Sequence, residues 1–207
     1  TGAPAFAFRV RNNTANNALY ALDGAAFDSG TANQQRNLHA ASGWGGAGYT
    51  GPRAAAPFAI LDTVYQAYNL VLSAEPNASF PALDLFWSAN NRVGDSSCSA
   101  DRASIATGVI CTTFFLPPVA NPAASRPDAG IYVLGSANDD SDEFDRHVIA
   151  HEWGHYYQAS FSRDDSVGGP HAGNDRLDMR LAFSEGWGNA FSAMVLDDPI
   201  YRDSAAV

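Results

Sequence analysis

The sequence predicts an α+β domain in which a small mixed β-sheet precedes two long helices. Three observations support this prediction: short apolar runs with strand character up to residue 135, an early stretch with a helical period, and a second helical period after residue 141. A chain of 207 residues can bury a sizeable core. We expect one domain, either complete or a fragment of a longer protein, with a sheet-containing lobe at residues 1–140 and two helices at residues 141–207.

The predicted strands are short and bounded by turn residues. Residues 6–11 alternate in a strand-like way, and residues 83–87 are a second predicted strand. Residues 108–116 are apolar and rich in β-branched side chains up to Pro117, which ends a strand because proline cannot donate a ladder hydrogen bond. Residues 131–135 are the last predicted strand.

Helical periodicity marks three segments. In residues 54–73, apolar side chains recur at steps of three and four residues. The period returns over residues 141–161, where acidic side chains lie near the positive end of the predicted helix. A further helix is predicted from residue 177 or 179 to residue 196, ending before Pro199.

The charge balance limits the partners to be expected. The chain has 12 basic residues, all of them arginine, and 22 acidic residues, so its net charge is −10. A net-acidic chain without a basic cluster repels phosphate backbones, and we therefore expect no nucleic-acid partner. No run approaches the ~20 apolar residues that span a bilayer, so no transmembrane segment is expected. The sequence indicates no oligomeric state.

The two cysteines, Cys98 and Cys111, bear on the compartment of the protein. A disulfide between them would indicate a secreted, periplasmic or otherwise extracellular protein. The alternative is two unpaired thiols in a reducing cell. Small polar residues flank Cys98 and indicate an exposed site, which favours the disulfide.

The motif His151-Glu152-Trp153-Gly154-His155 carries the strongest chemical signal. Residues four apart lie on one face of a helix, so both imidazoles can bind one metal ion. Glu152 is adjacent to the first histidine and is positioned to accept a proton from a water that the metal activates. The alternative is a pair of ordinary surface histidines, but the motif lies in an apolar helix where such groups without partners would be costly.

A catalytic zinc also needs a third protein ligand and an open position. Glu185 is the candidate, because it is the only glutamate after Glu152 and lies in an otherwise apolar predicted helix. The rival is His171 in the loop between the two helices. The three-histidine pattern H-E-x-x-H-x-x-G-x-x-H is excluded, since Gln158 and Phe161 occupy the positions of its glycine and third histidine.

With the segment Ser-Glu-Gly-Trp at residues 184–187, the H-E-x-x-H motif resembles the gluzincin metallopeptidases. Within these it is most similar to the fungalysin and thermolysin-like groups. The resemblance covers residues 145–196, and the Glu-Gly-Trp element is its more specific part. It implies an α+β, zincin-like metallopeptidase catalytic domain with two zinc-ligand helices, in which Zn²⁺ is bound by His151, His155 and Glu185.

The resemblance also implies the chemistry of the site. Glu152 would take a proton from the attacking water and hand it to the leaving amine. The oxyanion that develops needs further donors. From its position in a Gly-Pro loop between the two predicted ligand helices, His171 is the preferred donor, and a plain solvent-exposed loop histidine is an equal alternative. The other candidates are Arg180, Tyr156, Tyr157 and Tyr201.

The same resemblance predicts where a peptide or protein substrate would bind. In zincin folds an extended peptide pairs with an edge strand just before the metal helix. By resemblance this edge strand is residues 131–135, and the substrate-binding residues are Gly135, Ser136 and Ala137. Main-chain pairing of this kind gives affinity without sequence choice.

Asn189 departs from the family pattern, which has aspartate four residues after the ligand glutamate. Its amide oxygen can accept a hydrogen bond from a ligand imidazole but adds no negative charge. This departure leaves open a catalytically impaired binding module with a structural or vestigial zinc. A zinc hydrolase acting on other substrates is a third option. Glu152 favours the peptidase, because a structural site does not need it.

Residues 138–143 and Asp145 form an acidic run before the first zinc helix. Carboxylate oxygens at this density can bind Ca²⁺. The run lacks the D-x-D-x-D-G spacing of a dedicated calcium loop, so a solvated loop with helix-capping carboxylates is the favoured alternative.

Overall fold

The computed structural model describes residues 5–95, 100–137, 139–169, 171 and 175–205. Its strands in chain order are β1 (Phe8–Asn12), β2 (Ala18–Leu19), β3 (Leu83–Trp87), β4 (Phe114–Leu116), β5 (Gly130–Val133), β6 (Gly135–Ser136) and β7 (Asp140–Ser141). Its helices are α1 (Ala56–Ala74), α2 (Arg102–Ala106), α3 (Arg146–Phe161) and α4 (Met179–Leu196), and a short 3-10 helix (Asn13–Ala15) follows β1.

Five of these strands form one mixed sheet in the order β2-β1-β3-β5-β4. The central strands β1, β3 and β5 run parallel, whereas β2 and β4 are antiparallel to their neighbours. The strands β6 and β7 pair with each other directly before α3. The antiparallel strand β4 is therefore an edge of the main sheet.

Alternation along the strands gives the sheet two apolar faces. In β3, Leu83, Leu85 and Trp87 belong to the core shared with the helices, whereas Phe86 belongs to a smaller cluster on the other face. There the Phe86 ring stacks on Tyr132 of β5 at a centroid distance of 4.5 Å. A central strand buried on both faces is largely apolar. In residues 83–87 the one polar side chain is Asp84, which pairs with Arg9 and Arg11.

The helices α1, α3 and α4 cover the first face of the sheet. The central helix of this layer is α3, which contacts α1, α4 and β4. Its Trp153 has no exposed surface and stacks on Phe191 of α4 at 5.5 Å. On its other side Trp153 makes an edge contact with Phe8 of β1 at 6.1 Å. Burial of this indole joins the two metal-motif helices to the sheet.

The helices predicted from periodicity correspond to observed ones. The segment at residues 54–73 is α1, and the segment ending at residue 196 is α4. The helix α3 begins at Arg146 rather than at residue 141, because residues 140–141 pair as β7.

Two strand predictions are wrong. Residues 131–135 do not form an edge strand, since β5 lies between β3 and β4. Residues 108–116 contain a strand only at their end, where β4 returns antiparallel to β5 and occupies the sheet edge itself. Ile110 is instead fully buried under the second face of the sheet.

The helix α2 was not predicted from periodicity, because it spans too few residues to show a period. Its one local signal is Asp101, whose carboxylate accepts a hydrogen bond from the Ser104 amide at 2.8 Å. An aspartate three residues before a serine is compatible with a helix cap, but also with an ordinary turn.

The predictions on a membrane span and on a disulfide have different outcomes. No helix within the described ranges combines the length and apolar character that a membrane span requires. The disulfide between Cys98 and Cys111 stays a prediction, because Cys98 lies outside the described residues.

A buried ion pair joins the segment before α1 to the segment before α3. Arg53 donates hydrogen bonds to Glu143 and to the Gly135 carbonyl, and Trp87 Nε1 donates to the second Glu143 oxygen at 3.2 Å. The Glu143 side chain is fully buried. Burial raises the pKa of Glu143, and the Arg53 charge opposes this shift. The carboxylate therefore depends on its arginine partner.

We expect Arg53→Met to lower the free energy of unfolding by about 3–5 kcal/mol, because it leaves a buried carboxylate without its cation. Urea unfolding followed by circular dichroism measures this loss. The double variant Arg53→Met/Glu143→Leu should recover most of it, since no isolated charge remains. Arg163→Met, at a side chain that is 85% exposed, is the control and should change little. Equal losses in the single and double variants would contradict this explanation.

Candidate metal centre

The helix α3 places His151 and His155 on one face, one turn apart, as the spacing predicts. Their Nε2 atoms lie 2.9 Å from each other. Both imidazole rings are largely buried, and they meet at a centroid distance of 4.7 Å with their planes nearly perpendicular. Two ring nitrogens are thus directed at one point between α3 and α4.

Glu185 of α4 completes a group of three potential ligands. Its Oε2 lies 3.1 Å from His151 Nε2, and its Oε1 lies 3.6 Å from His155 Nε2. All three ligand atoms lie within 4.8 Å of one another. The structure therefore brings together the three residues that the sequence analysis selected as metal ligands.

This geometry fits zinc. Ligands at the usual Zn–N and Zn–O distances of about 2.0–2.2 Å in a tetrahedral arrangement lie roughly 3.3–3.6 Å apart. The separations around Glu185, 3.1 and 3.6 Å, fall close to this range, whereas the two histidine Nε2 atoms, 2.9 Å apart, would have to separate by a few tenths of an ångström to bind one zinc ion. Two imidazoles and a carboxylate are also the donor set of one class of catalytic zinc sites, in which the fourth position stays open.

The close approach of α3 and α4 depends on glycine. A Cβ atom on Gly188 would lie 2.7 Å from His151 Cε1 and 2.8 Å from its Nδ1. On the facing helix, a Cβ atom on Gly154 would lie 3.3 Å from the Phe191 ring. Trp187 Nε1 also donates to the Gly154 carbonyl at 2.9 Å. Small residues on both helices let Glu185 reach the histidines.

Both ligand histidines have a partner for the ring nitrogen that faces away from the metal position. His151 Nδ1 lies 3.0 Å from Asn189 Oδ1, so the amide oxygen accepts the N–H bond. His155 Nδ1 lies 3.2 Å from Ser184 Oγ, which in turn donates to Gln158 Oε1 at 3.1 Å. When a metal binds, these acceptors keep the remaining ring proton on Nδ1 and leave each Nε2 lone pair for the ion.

Ser184 and Gln158 were not identified from the sequence. Gln158 lies three residues after His155 on α3, and Ser184 directly precedes Glu185 on α4. Helical spacing could have suggested Gln158, because residues three apart share a helix face. The contact between the two helices decides that Ser184 joins them.

Glu152 lies on the side of the histidines that faces β4. Its Oε2 accepts a hydrogen bond from the Phe115 amide at 2.8 Å, and the residue is 9% exposed. Burial raises the pKa of Glu152, while positive charge on His151 and His155 opposes this shift. A carboxyl group with a raised pKa is a better proton acceptor than an ordinary surface glutamate.

The pKa of the second carboxylate, Glu185, is shifted in the opposite direction. Burial alone would raise the pKa of Glu185, but hydrogen bonds from His151 and His155 outweigh burial and hold it well below its usual range. Glu185 therefore carries its negative charge at neutral pH. Two carboxylates beside two imidazoles make this cleft attractive to a cation.

His171 approaches the same group from the loop between the helices. Its Nε2 lies 3.3 Å from Glu185 Oε2, and its Nδ1 lies 3.1 Å from the Gly169 carbonyl. It is not part of the group whose ligand atoms all lie within 4.8 Å of one another. His171 is thus next to the centre, on its more exposed side.

Tyr201 is the second polar group beside the centre. Its ring lies 6.1 Å from the His151 ring and 5.6 Å from the His147 ring. Desolvation, followed by the negative charge of Glu152, raises the pKa of Tyr201, so its hydroxyl group stays protonated. A protonated phenol can donate a hydrogen bond to an anionic group.

The remaining predicted oxyanion donors are engaged elsewhere. The Tyr156 hydroxyl donates to the Pro81 carbonyl at 2.5 Å, and the Tyr157 ring stacks on Trp153 at 5.9 Å. Arg180 pairs with Asp178 on the surface. Tyr156 and Arg180 thus already have partners for the groups that would donate. The three assignments stay predictions.

The main chain of the predicted substrate-binding segment has partners within the protein. The Gly135 amide donates to the Asn91 carbonyl at 2.9 Å, and the Gly135 carbonyl accepts from Arg53. Ser136 pairs with Asp140 in the β6–β7 ladder. No contact of Ala137 within the described residues links it to the centre. The main chain at residues 135–136 is thus occupied, and the sheet edge beside Glu152 belongs to β4.

Comparison of the chain with protein-family models finds no match, and neither do comparisons with curated proteins or with solved structures. The likeness to gluzincins therefore rests on the motif residues and on the arrangement of the centre itself.

We expect Gly188→Ala to weaken zinc binding on the order of 10–100-fold, the range seen when a neighbour of a metal ligand is altered. The added methyl group would displace His151, because it cannot fit 2.7 Å from the ring. Competition titration with a chromogenic chelator measures the affinity.

Gly186→Ala on the same helix is the matched control, since its Cβ would meet nothing within 4 Å. This variant should keep its zinc affinity and gain about 0.5–1 kcal/mol in stability from helix propensity. Equal zinc affinities in the two alanine variants would show that the helix contact does not position His151.

Proposed function

We propose that this protein is a zinc-dependent metallopeptidase with a gluzincin-like centre. The observation that carries the proposal is the convergence of His151, His155 and Glu185 within 4.8 Å, with the Glu152 carboxylate held beside them. A purely structural zinc site has four protein ligands and no need for a neighbouring base. The H-E-x-x-H and Glu-Gly-Trp segments support the same class.

Zinc, when bound, supplies Lewis acidity and lowers the pKa of a coordinated water to about 7. Glu152 accepts the proton of the attacking water and returns it to the leaving amine, because its carboxylate lies beside the histidines and is fixed by the Phe115 amide. His171 and Tyr201 are the proposed donors of hydrogen bonds to the oxyanion, because both lie beside the centre.

The substrate we propose is an extended peptide that pairs with the edge strand β4. In an antiparallel strand the N–H and C=O groups of one residue point to the same side. Because the Phe115 amide points at Glu152, the free edge of β4 runs along the centre. Main-chain pairing there would place a peptide carbonyl near the base without selecting a sequence.

The proposal also concerns the compartment of the protein and the class of its substrate. We propose a location outside the cytoplasm, on the basis of the predicted disulfide. A net charge of −10 supports a protein or peptide substrate over a nucleic acid.

The first test is cleavage of an unstructured protein such as casein by the zinc-loaded chain. Glu152→Gln should lower the rate by about 10²–10⁴-fold and leave the zinc content unchanged, because it removes the base and no ligand. Glu75→Gln, at an exposed glutamate outside the centre, is the matched control and should retain full activity. A Glu152→Gln variant that cleaves as fast as the wild type would disprove the proposed role.

The alternative function is a binding module with a closed, structural zinc, and the position of His171 favours it as a second candidate. With its Nε2 only 3.3 Å from Glu185 Oε2, a small loop movement would make His171 a fourth ligand. Four protein ligands leave no open position for chemistry.

His171→Ala separates the two functions. If His171 is an oxyanion donor, we expect the turnover number to fall about 10²–10³-fold with unchanged zinc affinity. If it closes the site, zinc affinity falls and the wild type cleaves nothing. The exposed histidine His39 offers the control variant His39→Ala, which should alter neither quantity. Zinc titration and steady-state kinetics on the same preparations distinguish these outcomes.

A further inference from the structure

A second group of acidic side chains lies near the N-terminus of α3. Asp140 in β7, Asp142 directly after it and Asp203 after α4 place carboxylate oxygens within 4.8 Å of one another. The first two residues belong to the acidic run of the sequence. Asp203 lies more than 60 positions away and joins them only through the fold.

The two residues of the run have buried oxygens without partners. Asp142 is 3% exposed; one of its oxygens accepts a hydrogen bond from the Thr113 hydroxyl, and its Oδ1 has no partner. Asp140 Oδ1 is likewise buried without a partner. A buried carboxylate oxygen without a donor costs free energy on the order of a few kcal/mol. The unpaired oxygens of Asp140 and Asp142 therefore indicate that a ligand binds here.

The charges around this group are all of one sign. Within the described residues, no arginine or histidine forms an ion pair with Asp140, Asp142 or Asp203. The neighbouring Asp145 adds a fourth carboxylate. Burial, and then repulsion from these neighbours, raises the pKa of Asp142 to about 8, although the Thr113 hydrogen bond opposes the shift. Among the described residues, the fold thus brings these carboxyl groups together without pairing any of the three with an arginine or a histidine.

The third ligand is held in place by the segment that follows α4. Ala205 forms an antiparallel bridge with Asp140. Ser204 donates from its amide and its hydroxyl to Asp145 Oδ2, at 3.0 and 2.6 Å. These contacts fix the two residues that follow Asp203, so the meeting of its carboxylate with the other two is built into the fold.

We propose that Asp140, Asp142 and Asp203 bind a divalent cation, and that this cation is Ca²⁺. Calcium takes 6–8 oxygen ligands at about 2.3–2.6 Å, so two of its ligands can lie up to roughly 5 Å apart. Carboxylates that bind through one or both oxygens, completed by water, satisfy this requirement. An all-oxygen group with no imidazole or thiolate disfavours zinc, which keeps the site chemically distinct from the centre at His151.

Calcium at this position ties the end of the chain to the beginning of α3. The tied segment includes Tyr201, whose ring lies against His147 and His151. The cation therefore holds one wall of the zinc centre in place. This inference does not depend on peptide hydrolysis, because it concerns only binding and stability.

The test is thermal unfolding of the full chain, loaded with one equivalent of zinc in buffer freed of other divalent ions, with and without added calcium. At a calcium concentration of about 100 Kd we expect the melting temperature to rise by about 5–10 °C. Isothermal titration should give one calcium per chain while the zinc content stays constant.

Asp142→Asn and Asp203→Asn should each abolish the calcium-dependent rise. In calcium-free buffer Asp142→Asn should be at least as stable as the wild type, because it replaces a buried carboxyl group whose ionised form is unfavourable beside its acidic neighbours; a merely damaged fold would be less stable. Asp203 is exposed, so its variant keeps the test valid if Asp142→Asn fails to fold. Asp23→Asn, at an exposed aspartate far from this group in sequence, is the charge-matched control and should keep the full rise.

Three outcomes would overturn the proposal. The absence of any rise at millimolar calcium would mean that Asp140 and Asp142 share a proton instead of a cation. An equal rise with magnesium would contradict the assignment to calcium. A rise that survives in both Asp142→Asn and Asp203→Asn would place the calcium elsewhere on the chain.

Discussion

The close packing of α3 against α4 is the constraint on which the metal centre depends. Gly154 and Gly188 bring the two helix backbones near enough for Glu185 to reach the imidazoles of α3. A zinc ion accepts ligands only over a range of a few tenths of an ångström. The apolar stacking of Trp153 on Phe191 stabilises the same contact, so the hydrophobic core and the metal site are formed by one helix pair. Loss of the packing would separate the ligands without changing any of them.

Hydrogen bonds then set the protonation of the centre. Asn189 and the chain from Ser184 to Gln158 accept the outer N–H bonds of the two ligand histidines, which orients both Nε2 lone pairs inward. The amide of Asn189 performs this task without a negative charge. The negative charge of the centre comes from Glu185, whose pKa is held low by the histidines, and from Glu152. The negative charge offered to a cation would therefore come from carboxylates, and the outer partners of the histidines contribute orientation.

The sheet contributes to the site through its edge. The amide of Phe115 in β4 holds the Glu152 carboxylate, so the candidate base is fixed by a strand and not only by its own helix. The segment after α4 carries Tyr201, whose ring lies beside His151. Backbone and side-chain contacts join this segment to Asp140 and Asp145. The helix α3 is thus held at its start by the acidic group and in its middle by the strand edge. Both attachments limit the movement of the two histidines.

The sequence by itself determined the parts of this protein that depend on short-range order. The spacing of His151 and His155 puts both on one helix face, and the helices α1 and α4 follow from the apolar period. Glu185 could be selected because a lone carboxylate in an apolar helix requires a cation. Only the tertiary structure decided which strand forms the sheet edge, that Ser184 and Gln158 support His155, and that Asp203 joins the acidic run. These features depend on pairing and packing between residues far apart in the chain, for which local periodicity carries no information.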